Sequence, residues 1–223
     1  MSSFQISNPT DESVTQLLEF ISSMQLFDKR IVEGVWFGPR EILSHTYKCS
    51  YCEVVVGSKL GYTAHQMADT KSPMEAQIYI CPVCNAPTFF DDKAQKSFPG
   101  NLPGNRVNGA PEELDKLYME ARLAASAGAY TASVMACRKM LMNIAVEEGA
   151  KEGESFQKYV DYLAQKGFVP PHGKGWVDHI RNLGNDANHH INLMTGEDAT
   201  RLITFVEMLL RFIYEFPSML PKP

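Results

Sequence analysis

Four of the five cysteines fall in two Cys-x-x-Cys pairs, Cys49-Ser-Tyr-Cys52 and Cys81-Pro-Val-Cys84, with twenty-eight residues between them. Four thiolates carried on two tight turns are what a tetrahedral structural zinc site needs, so Cys49, Cys52, Cys81 and Cys84 are the expected ligands of one zinc ion. Each turn aims backbone amides at its sulfurs, which lowers the thiolate pKa together with the metal. His65, between the pairs, could replace one cysteine, but the four thiols suffice without it. They also leave no open coordination position, which argues against a zinc hydrolase. Cys137 stands outside the frame and reads as a small apolar packing residue.

A second polar set lies in the run from Trp176 to His190. On a helical wheel with Arg181 at zero, Asn185 falls at about 40°, Asp178 at about 60° and His189 at about 80°. Trp176, Ile180, Leu183, Gly184 and Ala187 occupy the opposite side, and His190 falls near the border between the two. Arg181, His189 and Asn185 form a candidate catalytic set, in which arginine stabilises a phosphate, histidine moves a proton and asparagine orients either. Arg138, Asp178 and His190 are candidate ligand-binding residues. The same pattern also suits an exposed polar stripe whose side chains cap and bridge neighbouring helices. Arg138, in a helix of apolar and small residues, calls for Asp178 or another acid as partner, or else joins Arg181 at a phosphate.

These residues need elements to hold them. Val14, Leu17, Leu18, Ile21 and Met24 recur at helical spacing, giving a short amphipathic helix over 10–25. Short β-branched and aromatic runs, 53–56, 77–80 and 88–90, flank the cysteine turns, and 57–76 reads as a loop inserted between them. Two Pro-Gly steps and an Asn-Gly mark a linker, to which Leu102 and Val107 add apolar anchor points. From Pro111 onward the periodicity is helical. Helices are expected from 111 to Gly128, over 129–148, 154–166 and 174–190, and from Glu197 to Pro217. The last of them turns Leu202, Phe205, Leu209, Phe212 and Ile213 inward.

The expected fold class is therefore α+β, a small zinc ribbon of short antiparallel strands followed by an all-α antiparallel bundle. The organisation is a lead-in over 1–45, the ribbon over 46–92, the linker over 93–110 and the bundle over 111–217. Net charge is −5, with no basic half: 9 Lys/Arg against 11 Asp/Glu in residues 1–110, and 12 against 15 in the remainder. That balance disfavours tight, sequence-independent duplex binding. No apolar run approaches the roughly 18 residues of a membrane span, and no secretion signal opens the chain, so the expected location is cytoplasmic, away from membranes.

Tyr118-Met-Glu-Ala-Arg122, Ala136-Cys-Arg138-Lys-Met-Leu141, Ile180-Arg-Asn-Leu-Gly-Asn185 with His189, and Phe212-Ile-Tyr214 before Pro217 come in an order that resembles a known family. It is the bacterial domain-of-unknown-function family numbered forty-one forty-five, grouped with the HEPN superfamily of helical bundles and often preceded by a zinc ribbon. The resemblance covers about 99–217. It implies a HEPN-like bundle that pairs as a homodimer, with RNA or a nucleotide as ligand and roles in defence or stress. The superfamily's ribonucleases are metal-independent and carry arginine, four to six residues, then histidine. Here seven residues separate Arg181 from His189, and eight separate it from His190. Arg40-Glu-Ile-Leu-Ser-His45 meets the spacing but precedes the ribbon. The preferred reading is a binding or regulatory component that takes RNA, a nucleotide or, through the ribbon, a protein partner. The alternative is a ribonuclease with Arg181 and His189 at a dimer interface.

Overall fold

The computed structural model describes residues 34–66, 73–169, 175 and 193–219. The first element is a five-stranded antiparallel sheet in sequence order. Its strands are β1 (Arg40–Lys48), β2 (Val55–His65), β3 (Met74–Ile80), β4 (Pro87–Asp91) and β5 (Lys96–Phe98). The turn between β1 and β2 carries Cys49 and Cys52, and the turn between β3 and β4 carries Cys81 and Cys84.

Two strands are longer than local composition suggests. The loop expected over 57–76 is mostly the facing arms of β2 and β3, with Gly61 opposite Tyr79 and Ala64 opposite Ala76. Its glycines and polar residues lower β propensity, but pairing on both sides supplies the ladder. Gly61 is required there, since a Cβ would lie 1.8 Å from the Ile78 carbonyl oxygen. Arg40 and His45 stand on β1, where His45 is exposed, stacks beside Tyr47 and Tyr79 and meets Phe90 edge-on.

The back of the chain is helical: α1 (Glu112–Ser126), α2 (Tyr130–Glu147), α3 (Phe156–Gln165) and α4 (Gly196–Leu210). A wide π-type turn, Arg211–Glu215, and a short α5, Phe216–Met219, follow. Helix α1 packs on α2 and α4, and α2 packs on α3 and α4. Tyr118, Met140, Leu141, Ile144, Leu202 and Leu209 sit at the centre of that core. Thr195 caps α4, its hydroxyl accepting from the Asp198 amide while the Asp198 carboxylate accepts from the Thr195 amide. The wide turn changes one expectation. Phe212, expected to face inward, is exposed and packs on Phe216, because five residues of π-type winding depart from the 100° step that set the stripe. The sequence-predicted helices over 10–25 and 174–190 lie outside the described residues.

Between sheet and helices, residues 99–110 lie along the bundle as a strap. Leu102 and Val107 are buried. The strap's carbonyls accept from side chains: Asn105 from the Tyr118 hydroxyl (2.9 Å) and Arg106 from the Arg211 guanidinium (3.0 Å). Asn105 and Asn108 in turn donate to Glu207 and Glu215. Truncation in the centre of α2, Leu141→Ala, is expected to lower stability by about 2–5 kcal/mol. The exposed Met135→Ala should stay within about 0.5 kcal/mol, both read from urea unfolding midpoints.

Candidate metal centre

The two cysteine turns are built alike. In the first, the Glu53 amide donates to the Cys49 carbonyl (2.7 Å) and the Cys49 amide to the Val54 carbonyl (2.9 Å). In the second, the Asn85 amide donates to Cys81 (2.9 Å) and the Cys81 amide to Ala86 (2.9 Å). Each turn places the residue after its second cysteine in the left-handed region, Glu53 at φ 59° and Asn85 at φ 57°. The pairing of β2 with β3 brings the two turns face to face.

The result is one cluster of four buried sulfurs, all within 4.8 Å of one another, which could hold a metal ion. Cys49 Sγ lies 3.7 Å from Cys84 Sγ, and Cys52 Sγ lies 3.8 Å from Cys81 Sγ. These distances far exceed a disulfide bond, and all four are free thiols. His65 is not part of the cluster. The Val83 amide points at Cys81 Sγ from 3.4 Å. Tyr47, Val56, Tyr79 and Ala86 pack around the sulfurs and keep the site dry.

The thiols are electrostatically unequal. Hydrogen bonds from the Cys84 thiol and from the Cys52 and Tyr51 amides outweigh burial at Cys49 and hold it down to about 5. Burial pushes Cys52 up to about 11. Cys84 is also pushed up, first by its hydrogen bond to Cys49 and then by burial. Four adjacent thiolates repel unless a cation lies between them, so the set fits a thiophilic divalent metal. Cys137, buried in the helical core, is pushed up to about 12 by desolvation alone and is a packing residue.

Sequence reasoning gave no role to the most densely bonded polar group beside this cluster. Arg122 is fully buried and grips Glu53, with Nη2 2.5 Å from Oε2 and Nη1 3.2 Å from Oε1. Its Nε donates to the Pro103 carbonyl (2.8 Å) and Nη2 to Gly104 (3.0 Å). Arg106 Nε adds a 2.9 Å contact to Glu53, and Lys48 lies 3.9 Å away. Burial opposes the charge on Glu53, but Arg122 and Arg106 outweigh it and hold the carboxyl below its usual range. The signal was present, since Arg122 ends the Tyr118–Arg122 motif and Glu53 occupies a turn position that glycine or asparagine would suit.

Arg138 is half-buried with its guanidinium 4.4 Å over the Phe156 ring, and burial lowers its pKa. Among the described residues no carboxylate forms an ion pair with it. Arg181, His189, Asn185, Asp178 and His190 lie outside the described residues.

Sheet and sulfur cluster together define a small antiparallel metal-site module, consistent with a zinc ribbon, that leads into a helical unit. Residues 119–220 match the family model described as "Domain of unknown function (DUF4145)", the family the sequence resembles. No curated protein and no solved structure matches the chain. Among the described residues no helix is long and apolar enough to cross a membrane.

Metal uptake must strip protons from the raised thiols of Cys52 and Cys84, so affinity is expected to rise with pH through neutrality. Calorimetric titration in buffers of different ionisation enthalpy should show proton release on binding. A buffer-independent heat at pH 7 would contradict this assignment of protons.

Proposed function

We propose that the protein is a metal-clasped binding component, in which one structural zinc at Cys49, Cys52, Cys81 and Cys84 holds the sheet and a HEPN-like helical unit binds RNA, a nucleotide or a protein partner. Bacterial or phage defence is the setting the resemblance implies, and a homodimer is its expected form. The observation that supports this reading is the complete set of four buried thiols. A sphere filled by four cysteines has no position for substrate or water, so the metal serves architecture. The polar network beside it points the same way, with the Arg122 guanidinium engaged by Glu53 and two backbone carbonyls.

The sheet adds surface for recognition. Tyr62, Ile78, Phe89 and Phe98 are successive cross-strand partners on β2 to β5, so their side chains share one face. Phe89 and Phe98 are exposed there, with ring centroids 6.3 Å apart. An exposed aromatic pair of this kind, beside the half-buried Tyr62 and Ile78, supports contact with a partner more readily than it supports chemistry.

Freshly purified protein should carry one zinc per chain by elemental analysis, and Cys81→Ser should lose it. Labelled single-stranded RNA incubated with wild-type protein in metal-free buffer should remain intact, with and without His189→Ala. Cleavage by wild type that His189→Ala abolishes would replace this reading with a metal-independent ribonuclease using Arg181 and His189. Well under one zinc per chain would overturn the structural-metal part.

A further inference from the structure

Glu53 and Asn85 hold equivalent places in the two cysteine turns, but they reach in different directions. Asn85 turns toward the front of the chain, its Nδ2 donating to the Gly34 carbonyl (2.9 Å) while its own carbonyl accepts from Trp36 Nε1 (2.9 Å). Glu53 turns toward the helices and meets Arg122 on α1 and Arg106 on the strap. Asparagine tolerates left-handed backbone and glutamate does so rarely, so the closed turn around Cys49 and Cys52 must hold Glu53 in place. Ser50, in the same turn, donates to the Gly100 carbonyl (2.8 Å) where the strap begins. A Cβ at Gly100 would lie 2.4 Å from the Ser126 carbonyl oxygen, so strap, turn and the end of α1 meet with no slack.

The geometry points to a metal-sensing linkage: metal at the four cysteines fixes the turn, the turn aims Glu53, and Glu53 neutralises the buried Arg122, so metal occupancy controls docking of the strap on α1. This rests on the structural-metal reading. Without metal the crowded sulfurs no longer hold the turn, and the backbone of Glu53 relaxes out of the left-handed region. Arg122 is then buried without its counter-charge, the costly state for any interior ion. Among the described residues the other acid that senses Arg122 is Asp115, which forms no ion pair with it and whose carboxyl burial already raises. The inexpensive escape is to open the strap and the adjoining turns of α1 to water. The metal state of the sheet is thereby transmitted to the helical unit.

Amide hydrogen exchange on the full chain tests this, comparing the metal-loaded protein, the same protein treated with a zinc chelator, and metal-loaded Glu53→Gln. Chelation of wild type is expected to speed exchange across residues 99–122 by roughly a hundredfold to a few thousandfold, the scale of an orphaned buried charge. Glu53→Gln should retain its metal by elemental analysis, show raised exchange over the same residues while loaded, and respond little more to chelator. Fast exchange confined to residues 47–56 and 79–87 after chelation, with 99–122 still protected, would overturn the linkage and leave the structural metal standing. Protein that binds no zinc would overturn both. The wild-type comparison decides the matter even if Glu53→Gln fails to fold.

Discussion

A buried guanidinium needs a counter-charge, and the placement of that counter-charge constrains most of this structure. Arg122 has no exposed surface, and its hydrogen bonds reach the Pro103 and Gly104 carbonyls of the strap as well as Glu53 of the first cysteine turn. Three separate stretches of chain must therefore converge on one side chain. If any of them shifts, a charge is stranded in a medium that solvates it poorly. Such pairs add little net stability over an apolar substitute, but they select one arrangement, because few other arrangements satisfy the ion.

A second charged group fastens the other end of the strap. Arg211 bonds Glu207 and Glu215, while those two carboxylates accept from Asn105 and Asn108. Glu215 is buried and lies in the wide turn between α4 and α5. The two networks thus bracket a segment rich in proline and glycine and fix it residue by residue. The cysteine cluster shapes a turn, and the turn presents a carboxylate.

The four thiols were legible because the ligands come in local pairs, and spacing alone reveals a local pair. Helices α1 to α4 were legible for the same kind of reason, since an apolar residue every three or four positions is a local pattern. What eluded sequence reading was non-local. The long arms of β2 and β3 depend on partners on both sides, and glycines at 57 and 61 hide them from propensity. Phe212 was assigned inward by extending a regular stripe through a turn that is not regular. Arg122 looked like one more charged residue on a helix, because its partner lies sixty-nine positions away in sequence. Arg181 and His189 lie outside the described residues.

The strap has the composition of a spacer and the constraints of a machined part. Carbonyls at 103, 104, 105 and 106 each have an assigned donor, and Gly104 sits at φ 69° where a Cβ would press on Tyr118 and Ile203. Ordinary connecting segments tolerate added residues at small entropic cost. Here one inserted residue between Gly100 and Asn108 would put each later carbonyl out of phase with its donor. Length is therefore a specified quantity in this segment even though its residues look permissive. A chimera that joined this sheet to another helical unit would have to carry the strap across intact.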